Sequence, residues 1–130
     1  FTVVKTGLGT AAFTLDLSAS TATKTVAILN FTSPLIDGDY TLTVLANSVT
    51  DASGLGSVPM AANFTQNFHR LFGDVDGNRT VNSADFAEFG NAFGTSTGFA
   101  GFNAAFDFNG DGSIDSVDFA HLGNRFGITI

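Results

Sequence analysis

The sequence contains no cysteine in its 130 residues, so neither a disulfide framework nor a thiolate metal site is open to it. Tryptophan is absent too, and a single tyrosine stands against fifteen phenylalanines. Aromatic burial therefore falls to a side chain with no hydrogen-bonding needs, which suits small cores. No apolar run approaches the length needed to cross a bilayer. No charged-then-apolar leader opens the sequence, so a signal peptide is expected to have been removed or to lie upstream. Bases are scarce: five Lys and Arg against twelve acids give a formal charge of −7. Such a chain repels nucleic acid and anionic membrane surfaces, and neither a nucleic-acid partner nor membrane insertion is expected.

What is present is apolar enough to fold. At 44% hydrophobic, the chain can build one ordinary core or two small ones. From residue 1 to about 68 the signal is alternation of apolar residues with Thr, Ser or Asp, clearest in 13–17 (FTLDL) and 40–44 (YTLTV). Alternation of that kind marks half-buried antiparallel strands. The more continuous run at 25–31 (TVAILNF) predicts a central strand covered on both faces, and Asp37-Gly38 marks a tight turn. Beyond His69 the composition shifts to Gly, Asn, Asp and Phe, and apolar residues recur at helical spacing: Phe86, Phe89, Phe93 and Phe119, Leu122, Phe126. The expected class is α+β. An antiparallel β-sandwich of five or six strands over 1–70 is followed by a small helical module over 71–130.

The acids are concentrated in that second part. Aligning DVDGNRTVNSADFAEFGNAFG, from Asp74, with DFNGDGSIDSVDFAHLGNRFG, from Asp107, leaves roughly half the positions identical at a period of about 33 residues, the mark of a duplicated unit. Calcium takes six to eight oxygens, and a twelve-residue loop supplies them from positions one, three and five by side chain, seven by carbonyl and twelve by a bidentate carboxylate. In loop 74–85 these positions are Asp74, Asp76, Asn78, Thr80 and Asp85; in loop 107–118 they are Asp107, Asn109, Asp111, Ser113 and Asp118. Asn82 and Asp115, at position nine, can act through water. Two calcium ions are expected, and they would offset more than half of the net charge. Position eight is apolar in both loops, Val81 and Ile114, which predicts back-to-back pairing of the loops through a short β-bridge. The helices are expected to begin at Ser83 and Ser116, whose hydroxyls can cap free N–H groups, and to end near Gly94 and Gly127.

Each loop is closed by Asp in place of the usual EF-hand Glu and followed by a helix reading xDFAxxGNxFG. Over 71–127 this resembles the duplicated repeats of dockerin domains. The resemblance implies calcium at the positions named above and a cohesin-like partner. The family's contact residues lie at loop positions ten and eleven, here Ser83-Ala84 and Ser116-Val117. Two departures predict a weaker first site: Arg79 stands where position six normally has glycine in a left-handed conformation, and Asn78 removes a charge.

The first 68 residues resemble bacterial Ig-like or cadherin-like modules that precede such tails in large secreted proteins, through DGDYTLTV followed by VTDASGLG. The joining stretch NFHRLFGDVDG is also typical of those tails. The segment is shorter than a full Ig sandwich of about 100 residues. A sheet short of a strand exposes an edge and a groove, and a strand from another copy is one way to cover them. The expectation is therefore a calcium-binding, non-catalytic, extracellular or cell-surface structural protein that assembles with other copies of itself into a fibre, tube or surface layer. The alternative is a C-terminal docking tail for a cohesin-like receptor.

Catalysis has few residues to stand on. His69 and His121 lack any accompanying nucleophile motif and read as a boundary and a helix-surface histidine. Asp16, Asp37, Asp39 and Asp51 read as strand-face and turn residues, with Asp51 a weaker candidate for an interface calcium site. Asn30, Asn63 and Asn78 each begin a glycosylation sequon, a short pattern that often arises by chance.

Overall fold

The computed structural model describes residues 1–21, 23–50 and 58–130. Asp51 and most of the VTDASGLG stretch lie outside them. The chain forms two units, Phe1–Phe68 and His69–Ile130. Among the described residues it is a mixture of antiparallel sheet and two α-helices, with no helix long and apolar enough to cross a membrane.

The first unit is built on strands β1 (Thr2–Lys5), β2 (Gly9–Thr10), β3 (Phe13–Asp16), β4 (Ile28–Phe31), β5 (Gly38–Val44) and β6 (Phe64–Arg70). One sheet has the order β2-β1-β5-β6, and a separate pair joins β3 to β4. β1 runs antiparallel to β5 with Val3 opposite Leu42, and β3 to β4 with Phe13 opposite Phe31. Those two rings meet edge to face at 6.1 Å. The tyrosine does what its chemistry demands: its ring is buried and stacked on Phe68 at 5.2 Å, and its hydroxyl donates to the Ile36 carbonyl at 2.7 Å.

The run at 25–31 is not a central strand. Only its last four residues, β4, are extended as strand, and they belong to the two-stranded sheet with Ile28 and Asn30 exposed. The central places go to β1 and β5, which carry the two buried hydrophobic side chains of this unit among its described residues, Val3 and Tyr40. Asp37-Gly38 leads into β5 with Gly38 at φ +143°, but it does not close a hairpin, since β4 pairs with β3 and not with β5. Asp16 ends β3 as a turn residue. Its Oδ1 accepts from the Ser18 N–H at 2.8 Å, which holds its carboxyl below the usual range.

The second unit carries helices α1 (Ser83–Ala92) and α2 (Ser116–Gly123). Its core is Leu71, Phe72, Val81, Phe89, Ala92, Phe106, Ile114 and Leu122. The phenylalanine stripes are only partly core. Phe89 is buried, whereas Phe93, Phe119 and Phe126 are about half exposed. Helices of ten and eight residues have too little inward face for every ring, so the surplus lines the outer edge of the pair. There Phe86 meets Phe119 at 5.5 Å and Phe126 at 5.6 Å.

The expected bridge between the loops is replaced by a crossed arrangement. Val81 of the first loop donates its N–H to Ile128 O and accepts from Gly127 N–H, just beyond α2. Ile114 of the second loop donates to Thr95 O and accepts from Gly94 N–H, just beyond α1. Each repeat thus binds its apolar position-eight residue to the exit of the other repeat's helix. Both side chains are fully buried, so the apolar requirement is met by the shared core.

Candidate metal centre

Each helix is started by the last residues of its loop. The cap falls one residue earlier than the sequence predicts, because Ser83 and Ser116 are already the first helical residues while Asn82 and Asp115 before them are extended. Asn82 Oδ1 accepts from Ala84 N–H at 2.8 Å, and Asp115 Oδ1 from Val117 N–H at 2.7 Å. Position nine therefore serves as N-cap. The closing aspartates complete capping boxes, with Asp85 Oδ2 accepting from Asn82 N–H at 2.9 Å and Asp118 Oδ2 from Asp115 N–H at 2.8 Å. α2 also stops short of the predicted end near Gly127, with Asn124 as its C-cap.

The second oxygen of each closing aspartate reaches back to the loop's start. Asp85 Oδ1 accepts from Val75 N–H at 2.9 Å, and Asp118 Oδ1 from Phe108 N–H at 2.8 Å. Both aspartates are almost completely buried. One short carboxylate thereby ties position two, position nine and the helix start together. A glutamate, one methylene longer, would not hold this close geometry without moving the helix.

In the first loop, Asp74, Asp76 and Asp85 each place an oxygen within 4.8 Å of the others. Asp74 Oδ2 accepts from Arg79 N–H at 3.0 Å and lies 2.8 Å from His69 Nε2. Its Oδ1 is buried with no hydrogen-bond partner among the described residues. Gathered like charges and an orphaned carboxylate oxygen both raise the free energy, and a hard divalent cation relieves both at once. The donor set, all oxygen and partly anionic, fits calcium. Asn78 orders the turn, its Oδ1 accepting from Thr80 N–H at 2.9 Å and its Nδ2 donating to Asp76 Oδ2 at 2.8 Å.

The second loop is wound on its own first aspartate. Asp107 Oδ1 accepts from Gly110 N–H at 2.8 Å and Asp111 N–H at 3.1 Å, and Oδ2 from Gly112 N–H at 2.9 Å. Asn109 Nδ2 donates to Asp111 Oδ2 at 2.8 Å, and Asp111 Oδ1 accepts from Ser113 N–H at 2.9 Å. The position-seven residues form isolated bridges, Thr80 with Thr129 and Ser113 with Ser96.

Arg79 takes up the left-handed conformation that its glycine-like position requires, at φ +74° beside +83° for Gly112. Its guanidinium Nε donates to Ile130 O at 2.7 Å, and its own carbonyl accepts from Ile130 N–H at 3.1 Å. The strained residue is thus fastened at both ends. The charge said to be lost at Asn78 has a counterpart in Asn109, so the two ligand sets carry equal numbers of carboxylates. What distinguishes the loops is Arg79 and the extra acid Asp115.

Of the two histidines, His121 stacks on Phe108 at 3.5 Å, where Arg125 also lies over the ring at 5.2 Å. His69 contacts a predicted ligand, a role that sequence reasoning missed. The signal was present in the repeat, since the position one period later is Phe102, and a polar residue in place of an apolar one needs a partner.

The fold defines a module of two similar loop-and-helix repeats. Residues 72–127, somewhat under half of the chain, match the family model described as the dockerin type I domain. The C-terminal unit is dockerin-like. No curated protein and no solved structure matched the chain.

Proposed function

We propose that the chain is a non-catalytic, secreted or cell-surface binding protein whose C-terminal unit is a calcium-folded docking module for a cohesin-like receptor. The observation that carries this reading is the dockerin type I match over 72–127. Calcium is bound by Asp74, Asp76, Asn78, the Thr80 carbonyl and Asp85 in one loop, and by Asp107, Asn109, Asp111, the Ser113 carbonyl and Asp118 in the other. The ions are structural: a ligand that binds only the folded loops adds its binding free energy to the stability of a small core. Ser83-Ala84 and Ser116-Val117 are exposed on the first turns of the two helices. Beside the first lies an apolar groove of about 570 Å³ lined by Ser83, Phe86, Ala87, Gly123 and Phe126, a surface suited to a sheet face of a partner. Size-exclusion chromatography with a panel of type I cohesin domains tests it. A complex in millimolar calcium that dissociates in chelator is expected; monomers throughout would refute it.

A second reading rests on the first unit. Two hydrophobic side chains are fully buried there among the described residues, while Val4, Leu8, Leu15, Leu17, Ile28, Ile36, Leu45, Val58 and Phe64 are exposed. An incomplete Ig-like module of this kind is completed when another polypeptide covers it, as in a calcium-stabilised assembly of identical subunits. Light scattering and electron microscopy of the chain alone distinguish the two. Regular particles that dissolve in chelator support assembly; a monomer at every concentration removes it.

A further inference from the structure

We infer that His69 is a positioning residue for the first calcium loop, which orients its leading aspartate from outside while the second loop orients its own from within. The inference rests on the reading of 74–85 as a calcium site. Asp74 is a carboxylate and can only accept, so the 2.8 Å contact is a donation from His69 Nε2–H to Asp74 Oδ2. The Asp74 side chain is fully buried and that of His69 is 20% exposed, which leaves water little access to compete for the bond. With the Arg79 N–H as second donor at 3.0 Å, Oδ2 is saturated. The carboxylate plane is then fixed, with Oδ1 left without a partner among the described residues, in a group whose oxygens lie within 4.8 Å of those of Asp76 and Asp85.

Among the described residues, nothing equivalent acts on Asp107. Its three donors are the N–H groups of Gly110, Asp111 and Gly112, all inside its own loop. The residue one repeat after His69 is Phe102, which packs against the core and has no donor. The second loop must therefore close to orient its first ligand. In the first, the imidazole does so through a group outside the loop, where Arg79 occupies the position that glycine holds in the second. A histidine N–H that fixes a carboxylate ligand is an outer-shell group, and removing such groups typically lowers metal affinity about 10–100-fold.

The test compares the full chain with His69→Met, which keeps bulk without a donor, and His69→Gln, which restores one. Calcium titrations are followed at the amide signals of Gly77 and Gly110, one in each loop. His69→Met is expected to weaken the first loop at least about tenfold and leave the second unchanged, and His69→Gln to recover most of the loss. Unchanged first-loop affinity in His69→Met overturns the inference, as does an equal loss in both loops, which would mark a packing role. Should His69→Met not fold, the imidazole nitrogen signals of the unaltered calcium-loaded chain decide: the Nε2–H tautomer is expected, and the Nδ1–H tautomer overturns the proposal. If Gly77 in the unaltered chain does not respond to calcium, the calcium reading of that loop fails, and the inference falls with it.

Discussion

Replacing Asp118 by asparagine changes almost no volume, and its consequences can be worked out from two hydrogen bonds. Oδ1 accepts from Phe108 N–H and Oδ2 from Asp115 N–H, both at 2.8 Å, with the side chain fully buried. Asparagine offers one acceptor oxygen and turns an NH₂ toward the other N–H. A hydrogen bond to a charged group is worth about 1.5–3 kcal/mol, and a buried donor left unsatisfied costs about 1–3 kcal/mol. These terms overlap, so the loss is roughly 2–4 kcal/mol in chelator. In calcium it is larger, because the loop also loses an anionic ligand. Urea unfolding followed by helical circular dichroism reads the right unit, since both α-helices lie within His69–Ile130. Glu88→Gln is the control, at an exposed position on α1 outside both ligand sets. If Asp118→Asn costs less than about 0.5 kcal/mol in calcium, as an ordinary surface substitution does, the closing aspartate does not pin the loop.

Gly73→Ala should be among the most damaging small substitutions: φ is +92° and an added Cβ would meet Leu122 Cδ1, so a melting temperature equal to that of the native chain would contradict the packing described. Ile114→Ala should cost about 2–5 kcal/mol in urea unfolding, the range for a fully buried aliphatic, because its side chain sits in the core shared by both repeats; a loss confined to one helix would argue against a common core. Arg79→Gly relieves a left-handed residue while losing the bond to Ile130, whereas Arg79→Ala loses the bond and keeps the strain. The glycine variant should therefore be the more stable by about 1 kcal/mol, and equal stabilities would remove the strain from consideration.

The two twelve-residue loops were legible because their acids stand at fixed spacing. Asp74, Asp76 and Asp85 are too regularly placed to be a solvated turn, and the copy at Asp107 repeats the pattern. Helix starts were legible at Ser83 and Ser116; the error lay in the caps, since both serines already belong to the helix and the acceptors are Asn82 and Asp115. The crossed bridges were not legible. An apolar position eight states that Val81 and Ile114 are buried, but not which backbone they meet, and the partners lie far along the chain, Gly127 46 residues from Val81 and Gly94 20 residues from Ile114, along paths set by the tertiary fold. In the first unit, 25–31 misled because continuous apolarity fits a buried strand and an edge pair with uncovered side chains equally well. The His69 contact spans five residues and a turn at Gly73, and its one sequence signal was the departure from the repeat, where Phe102 stands one period later.

The central claim is that both loops take up calcium and that the fold of the second unit depends on it. Isothermal titration of calcium into the chelator-stripped chain tests this most directly, run beside Asp74→Asn and Asp107→Asn. Two ions per chain are expected, with each variant losing or greatly weakening one. No saturable uptake, or uptake that neither variant changes, would contradict it.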